Sequence, residues 1–228
     1  MPHVAMGPPS RWHGAVLAGG AARRFGRDKV FERVSGVRLI DAACASLADA
    51  EGVSVLVGSP ERLARVAPRL PSGVTAIADE LPGRGPIGGV ATALDCARER
   101  AVQASGSAWV AVLAADLPLV PREWWSWLAG QYRPGVPAVV ARDSSGRWEP
   151  LAALYHAQLA PELTALVAVG EGRGLAFHGW LDALERAGRV VAVDPSPMPA
   201  EALLNVNRPA DALRLEQLLN DRAGGPDG

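Results

Sequence analysis

Small and basic residues follow the first short apolar run of the chain, in a loop with the composition of an anion-binding site. This loop, residues 17–29, reads LAGGAARRFGRDK, and Lys29 is the only lysine in the sequence. Small residues let backbone N–H groups approach a phosphate or a base closely. Arg23, Arg24 and Lys29 supply positive charge that suits phosphates. The loop holds neither G-x-G-x-x-G nor a Walker A motif. It is therefore either a phosphate-binding loop of another kind or a solvated basic loop.

A carboxylate follows the most apolar run of the sequence. Asp116 comes directly after residues 109–115 (WVAVLAA) and is followed by Leu117 and Pro118. At the tip of a central strand, a carboxylate can hold Mg²⁺ over a bound phosphate. The alternative is an aspartate that caps the next turn. The position of Asp116, directly after the apolar run, favours the metal-binding role over the capping role.

A second carboxylate and a glycine-rich stretch follow another short apolar run. Asp79 stands at the end of residues 74–78, and residues 85–89 read GPIGG. The aspartate can accept hydrogen bonds from a base edge. The glycines, placed ahead of a predicted helix, can admit a ligand to the helix N-terminus.

Two asparagines stand close together near the end of the sequence, which contains only three asparagines. In an extended segment, alternation places Asn205 and Asn207 on one face. An amide oxygen can coordinate a hard cation or orient a phosphate. The alternative is a plain turn before a helix that begins at Pro209.

The elements that must position these residues alternate between strand and helix. Such alternation predicts βαβ units and an α/β fold with a doubly wound, mostly parallel sheet and helices on both faces. In that fold the ligand binds at the carboxyl ends of the strands, where the four segments fall. Strands are predicted at 15–17, 53–57, 74–78, 109–115, 136–141, 151–155 and 190–193, and helices at 39–50, 90–102, 121–128, 157–169, 174–186 and 209–219.

Composition excludes several classes of protein. The 228 residues carry a formal net charge of -1, and no apolar run approaches the roughly 20 residues of a membrane span. We therefore expect no nucleic-acid partner and no membrane partner. Cys44 and Cys96, far apart in helix-like stretches, argue against disulfides and predict a cytoplasmic protein. Residues 12–220 are predicted to form a single domain, with 1–11 and 221–228 as disordered tails.

Taken together, the loops resemble a known family, the molybdenum cofactor nucleotidyltransferases, and within it most closely the guanylyltransferases. The likeness runs from about Ala15 to Leu219. It is carried by five segments in the correct order. These segments are the first loop, Asp79 with the GPIGG stretch, Asp116-Leu117-Pro118, Glu149-Pro150-Leu151 and Asn205-Val206-Asn207-x-Pro209.

The resemblance implies a Mg²⁺-dependent reaction in which GTP and the molybdopterin cofactor give the guanine dinucleotide cofactor and pyrophosphate. It implies Arg24, Lys29 and Asp116 as catalytic residues, with Asp116 and Asn207 as metal ligands. Asn205 and Asn207 are the expected substrate contacts. It also implies transient contacts with proteins that deliver the pterin or accept the product. The nucleotide contacts implied are Leu17, Ala18, Gly19, Gly20, Lys29, Asp79, Gly88 and Asp116.

Three departures from the family pattern bear on these expectations. Phe25 replaces a frequent methionine, and Ala115 replaces a frequent cysteine, which suggests no chemistry for that thiol. Gly58 stands where a polar residue often touches the nucleotide, so only backbone is available there.

Gly19 and the GPIGG stretch favour GTP, because the related cytidylyltransferases tend to carry alanine at the first position and to lack the second. Three alternatives stay open. They are a CTP-using enzyme, a nucleotidyltransferase acting on another small phosphate such as phospholactate or a sugar phosphate, and a regulatory protein that binds nucleotide without catalysis. The presence of Arg24, Lys29, Asp116 and Asn207 together speaks against the last.

Overall fold

The computed structural model describes residues 6–19, 29–104, 108–143, 145–169, 175–207 and 209–223. Within these residues the predicted alternation of strands and helices is confirmed. The strands are β1 His13–Leu17, β2 Arg33–Val34, β3 Val37–Arg38, β4 Val53–Leu56, β5 Val74–Ile77, β6 Trp109–Ala114, β7 Ala138–Arg142, β8 Trp148–His156 and β9 Val191–Val193. The α-helices are α1 Leu39–Ser46, α2 Pro60–Val66, α3 Pro86–Ala104, α4 Glu123–Gly130, α5 Ala160–Val169, α6 Leu175–Arg186 and α7 Pro209–Ala223.

One seven-stranded sheet in the described residues carries the fold, in the order β5-β4-β1-β6-β8-β7-β9. All neighbouring pairs are parallel except those of β8, which runs antiparallel to both β6 and β7. The doubly wound, mostly parallel sheet is therefore confirmed. The chain leaves β1 toward β4 on one side and returns to β6 on the other, so the crevice beyond β1 and β6 is the expected ligand site.

Strand β6 shows why a continuous apolar run is needed at the centre of this sheet. All six of its residues are buried. Ala111 and Leu113 enter the apolar layer on the side of α1, α2 and α4, whereas Val110 and Val112 enter the layer on the side of α3, α5 and α6. Both faces of the strand are covered, which is the pattern of a central strand between helices.

Helix α2 was not predicted, because Gly58-Ser59-Pro60 also reads as a turn. In the structure the Ser59 side chain accepts a hydrogen bond from the Arg62 N–H at 3.4 Å, and Pro60 occupies the first turn. Serine at the N-cap and proline at the first position are favourable helix starts. The same residues that end β4 therefore begin a helix.

Helix α4 is tied to β8 and to the end of α1 through two buried tryptophans. The Trp124 indole N–H donates to the Ala152 carbonyl at 3.0 Å, and the Trp125 indole N–H donates to the Ser46 carbonyl at 3.0 Å. Both rings are almost fully buried. The cluster therefore has a packing role and joins α4 to β8 and to α1.

The chain ends bear on the predicted boundaries. Residues 6–11 are described, and the Trp109 indole N–H donates to the Gly7 carbonyl at 2.9 Å. Helix α7 extends to Ala223. The predicted disorder of residues 1–5 and 224–228 concerns residues outside those described.

Both cysteines are free. In the part of the chain that the structure describes, no helix is long and apolar enough to cross a bilayer.

Candidate active site

The segment after β1 is held between its two neighbouring strands at the carboxyl edge. The Ala18 N–H donates to the Leu56 carbonyl at 2.8 Å, and the Leu17 carbonyl accepts from the Ala115 N–H at 3.0 Å. Ala18 is buried, Leu17 is half-buried and Gly19 is exposed. The backbone at these positions is thus fixed at the crevice, with Gly19 facing solvent.

Gly19 and Gly58 touch through their backbones. A Cβ added at Gly19 would lie 3.3 Å from the Gly58 Cα, and one added at Gly58 would lie 3.2 Å from the Gly19 Cα. Gly58 also has a φ of 83°, a conformation that other residues adopt at a cost. Sequence reasoning noted Gly58 only as a lost polar contact. Its actual role is to let two strand ends approach each other.

Asp79 lies buried among three glycines. Its Oδ1 accepts the Gly58 N–H at 3.3 Å, and a Cβ on Gly89 would lie 3.7 Å from both carboxylate oxygens. Burial raises the pKa of the Asp79 carboxyl, while the Gly58 N–H and the charge of Arg62 oppose that shift. The carboxylate accepts one hydrogen bond from the described residues, which leaves acceptor capacity for a ligand.

Most of the glycine-rich stretch lies inside helix α3, and only Gly85 precedes it. The helix begins at Pro86, so Gly88 and Gly89 belong to its first turn. Gly88 is buried, and a Cβ there would lie 3.1 Å from the Arg84 Cβ. The expectation that the glycines precede the helix is wrong for Gly88 and Gly89, because Pro86 at the first position starts the helix earlier than predicted. What the small residues allow is a close approach of the helix to its surroundings.

Thr92 joins this helix to the loop that follows Asp79. Its hydroxyl accepts a hydrogen bond from the Glu80 N–H at 3.0 Å and donates one to the Gly88 carbonyl at 3.1 Å. The backbone next to the buried carboxylate is therefore anchored to the first turn of α3.

Asp116 and the asparagine segment meet at the centre of the edge. The Asp116 carbonyl accepts a hydrogen bond from the Val206 N–H at 2.9 Å. Val206 is buried, whereas Asn205 and Asn207 on either side are exposed, as the alternation predicts. The Asn207 N–H donates to the Asp211 carboxylate at 2.8 Å, which ties this segment to the first turn of α7. Sequence reasoning missed Asp211.

Several predicted site residues lie outside what the structure describes. Gly20 and Arg24 fall outside the described residues. Lys29 begins a short 3-10 helix that ends at Phe31, but its side chain is outside the description. The roles predicted for these three residues stay predictions.

The metal-binding capacity of this edge rests on oxygen donors. Among the described residues, no group of three or more His, Cys, Asp and Glu side chains forms a metal cluster. The Asp116 carboxylate and the Asn207 amide lie on two segments joined by the Val206 hydrogen bond. Mg²⁺ commonly takes one or two protein carboxylates and completes its shell with substrate phosphates and water. The donor set fits a cation shared with a phosphate substrate.

The Gly19–Gly58 contact gives a prediction about the part of the site around Asp79. We expect Gly58→Ala to lower the free energy of unfolding by about 1–3 kcal/mol, because the positive φ and the close contact both oppose a Cβ. We also expect it to weaken binding of GTP, the nucleotide that the resemblance implies, by roughly tenfold, since a shift of the strand end displaces Asp79. Chemical denaturation and calorimetric titration with GTP measure the two effects.

Gly135→Ala is the matched control, because Gly135 has the same φ of 83° but no atom within 4 Å of an added Cβ. It should lose only the conformational part of the stability and keep its GTP affinity. Equal losses of affinity in both variants would contradict a specific role for the contact.

Comparison with known proteins finds relatives that match most of the chain. Residues 14–205 match the family described as the MobA-like NTP transferase domain. The chain is 35% identical over 201 residues to the probable molybdenum cofactor guanylyltransferase of Deinococcus radiodurans, covering 88% of this chain and 92% of the relative. It is 31% identical to the molybdenum cofactor guanylyltransferase of Rhodobacter capsulatus, covering 92% of this chain and 97% of the relative.

Solved structures share the fold. The molybdopterin-guanine dinucleotide biosynthesis protein A of Archaeoglobus fulgidus superposes with a TM-score of 0.71 and 25% identity, covering 92% of this chain and 99% of that one. A nucleotidyl transferase from Methanothermobacter thermautotroptrophicus gives a TM-score of 0.67 at 19% identity over 93% of this chain and 99% of that one, which is a likeness of fold alone.

Proposed function

Because the chain belongs to the MobA-like NTP transferase family, we propose that it transfers GMP from GTP to the phosphate of the molybdopterin cofactor. The products are the molybdopterin guanine dinucleotide cofactor and pyrophosphate. The observation that carries the proposal is the arrangement of the carboxyl edge: the Asp79 pocket lies beyond β4 and β5, and the Asp116–Val206 junction lies beside it, beyond β6.

The reaction is an in-line displacement at the α-phosphorus of GTP. An oxygen of the pterin phosphate forms a bond to this phosphorus as the bond to the bridging oxygen of the β-phosphate breaks, and pyrophosphate leaves. Little covalent chemistry falls to the protein, so its contribution is orientation and neutralisation of charge. Arg24 and Lys29 would offset the negative charge on the leaving pyrophosphate.

The nucleotide would be held by the backbone of Leu17, Ala18 and Gly19, and Gly20 and Gly88 are proposed as further contacts. The Asp79 carboxylate would accept hydrogen bonds from the N1–H and the 2-amino group of guanine. Cytosine presents no equivalent pair of donors, so a buried acceptor discriminates against it. Burial of this carboxylate supports the proposal, because an unfilled acceptor is costly only where water is scarce.

Enzymes of this family generally use a divalent metal ion, and Mg²⁺ is our proposal for this chain. The Asp116 carboxylate and the Asn207 amide would hold it. When bound, the ion neutralises charge on the phosphates. Asn205, exposed on the same face as Asn207, would contact substrate.

The absence of disulfides and the use of GTP lead us to propose a cytoplasmic enzyme. We also propose transient contacts with proteins that supply the pterin or accept the product.

The test is pyrophosphate release by the purified protein with Mg²⁺, molybdopterin cofactor and GTP, CTP or ATP in turn. We expect release with GTP and at least about a hundredfold less with CTP, since CTP leaves the buried acceptor unpaired. Equal or faster release with CTP would keep the reaction class and overturn the assignment of the base. Tight GTP binding without release would point to another small-phosphate acceptor or to a regulatory protein.

A further inference from the structure

The residues assigned so far occupy only part of the carboxyl edge. The nucleotide contacts follow β1, β4 and β5, and Asp116 follows β6 at the centre of the sheet. In a displacement at phosphorus, the attacking group and the leaving group stand on opposite sides of the reacting atom. The acceptor substrate therefore belongs over the other half of the edge, beyond β8 and β7.

Glu149 is the carboxylate that the topology brings to that half. It is the second residue of β8, and it pairs with Ala141, near the carboxyl end of β7. On the other side of β8, Leu113 pairs with Ala152. Glu149 lies three residues before Ala152 in β8, and Asp116 lies three residues after Leu113, just beyond the end of β6, so both stand at the carboxyl edge on neighbouring segments.

Alternation along β8 gives the direction of its side chain. Trp148 packs in the layer of α3, α5 and α6, whereas Ala141, the register partner of Glu149, packs in the layer of α1 and α4. Residues opposite each other in a ladder share a face. Glu149 therefore points to the face on which Leu117, next to Asp116, is packed.

The neighbours of Glu149 have their charges satisfied within the protein. Asp143 accepts hydrogen bonds from the N–H groups of Ser145 and Arg147, at 2.8 and 2.9 Å. Arg142 lies 3.7 Å over the Trp148 ring and donates to Glu185 at 2.7 Å. Each of these groups is committed to a structural contact.

Glu149 differs from these neighbours. It is half-buried, and it forms no hydrogen bond or salt bridge with a residue that the structure describes. Burial and the charge of Asp143 raise the pKa of its carboxyl, with Arg147 opposing the shift. A partly desolvated carboxylate is stabilised most by a ligand that donates two N–H hydrogen bonds side by side, one to each oxygen.

We propose that the Glu149 carboxylate binds the 2-amino-4-oxopyrimidine ring of the acceptor, accepting hydrogen bonds from its ring N–H and its amino group. The inference rests on the proposed function, in which the acceptor is a pterin. Guanine presents the same two donors in the same geometry. The site then holds one carboxylate for each substrate, Asp79 for the donor nucleotide and Glu149 for the acceptor, with Asp116 between them.

Steady-state pyrophosphate release by Glu149→Gln tests this. We expect the KM for molybdopterin cofactor to rise by about ten- to a hundredfold, with the KM for GTP and kcat at saturating acceptor within twofold of the parent. Glu99→Gln is the matched control, because Glu99 is exposed in the second half of α3, which starts at the carboxyl edge and runs away from it. It should leave every parameter unchanged.

A binding measurement separates this inference from the reaction itself. With a non-hydrolysable GTP analogue present, the parent should bind pterin at least about tenfold more tightly than lumazine, which carries an oxo group in place of the 2-amino group. Glu149→Gln should lose that preference. Lost preference without pyrophosphate release in the parent would support the pterin subsite and overturn the proposed reaction.

Unchanged acceptor KM and unchanged preference for pterin over lumazine in Glu149→Gln would overturn the inference. If that variant fails to fold, Glu149→Asp keeps the charge and shortens its reach. It should show an intermediate acceptor KM and a retained preference, whereas a KM and preference equal to the parent's would count against the subsite.

Discussion

Replacing Asp116 with alanine is expected to slow pyrophosphate release by about a thousandfold, while GTP affinity falls no more than about tenfold. The carboxylate would hold the cation that neutralises the phosphates, and such charge stabilisation is worth several kcal/mol in the transition state. The variant should fold, because the contact with Val206 uses the backbone carbonyl of Asp116 and survives the substitution. Single-turnover kinetics and calorimetric titration with GTP measure the two effects.

Asp49→Asn is the control for this experiment. Asp49 is an exposed carboxylate paired with Arg122, far from the carboxyl edge. It should keep full activity. If Asp116→Ala kept pyrophosphate release within tenfold of the parent, Asp116 would not be the metal ligand. Mn²⁺ binding in the presence of GTP, followed by electron paramagnetic resonance, should be lost in Asp116→Ala and retained in the control.

The second large effect is expected from Asp79→Asn. This variant should bind GTP about ten- to a hundredfold more weakly, because an amide offers one oxygen acceptor where guanine requires two. Asparagine is preferable to alanine here, since its oxygen can still accept the Gly58 N–H that Asp79 accepts at 3.3 Å. Loss of nucleotide binding can then be assigned to the base contact and not to a disturbed loop.

Inosine triphosphate makes this measurement specific, because it lacks the 2-amino group of GTP. The parent should prefer GTP over inosine triphosphate by at least about tenfold, and Asp79→Asn should bind the two almost equally. Thermal melting of the variant checks that the fold is intact. A preserved preference for GTP would show that another group reads the amino group of guanine.

Features that depend on the local hydrophobic pattern could be predicted from the sequence, whereas features that depend on contacts between distant segments could not. The central strand β6 could be predicted because all of its side chains are apolar, and only a strand covered on both faces requires that. The antiparallel direction of β8 could not be predicted, because the hydrophobic pattern of a strand is the same whether the strand runs parallel or antiparallel to its neighbour. Direction and neighbour order depend on how distant segments pack, which periodicity along the chain does not record.

The residues of the candidate site also differ in how far the sequence predicted them. The pairing of Asp116 with the asparagine segment was expected only from the family resemblance, because the segment follows no strand whose end would place it at the edge. The contact between Gly19 and Gly58 was not expected, because glycine has no side chain to suggest a function and the contact joins two separate loops. Helix α2 escaped prediction since serine and proline favour both turns and helix starts. Glu149 was visible as part of a motif, but its half-buried position could be known only from the register of β8.

The hydrogen bond from Val206 to the Asp116 carbonyl has a consequence for the chain while it is being made. Roughly ninety residues separate the two, so at about 5–20 residues per second Asp116 is synthesised several seconds before its partner. A nascent or clipped chain that lacks the last segment would have its nucleotide pocket without the asparagines that complete the centre. If Asn207 holds the metal ion as proposed, such a chain would lack one of the two metal ligands, and turnover would require the segment around Val206 to have been made.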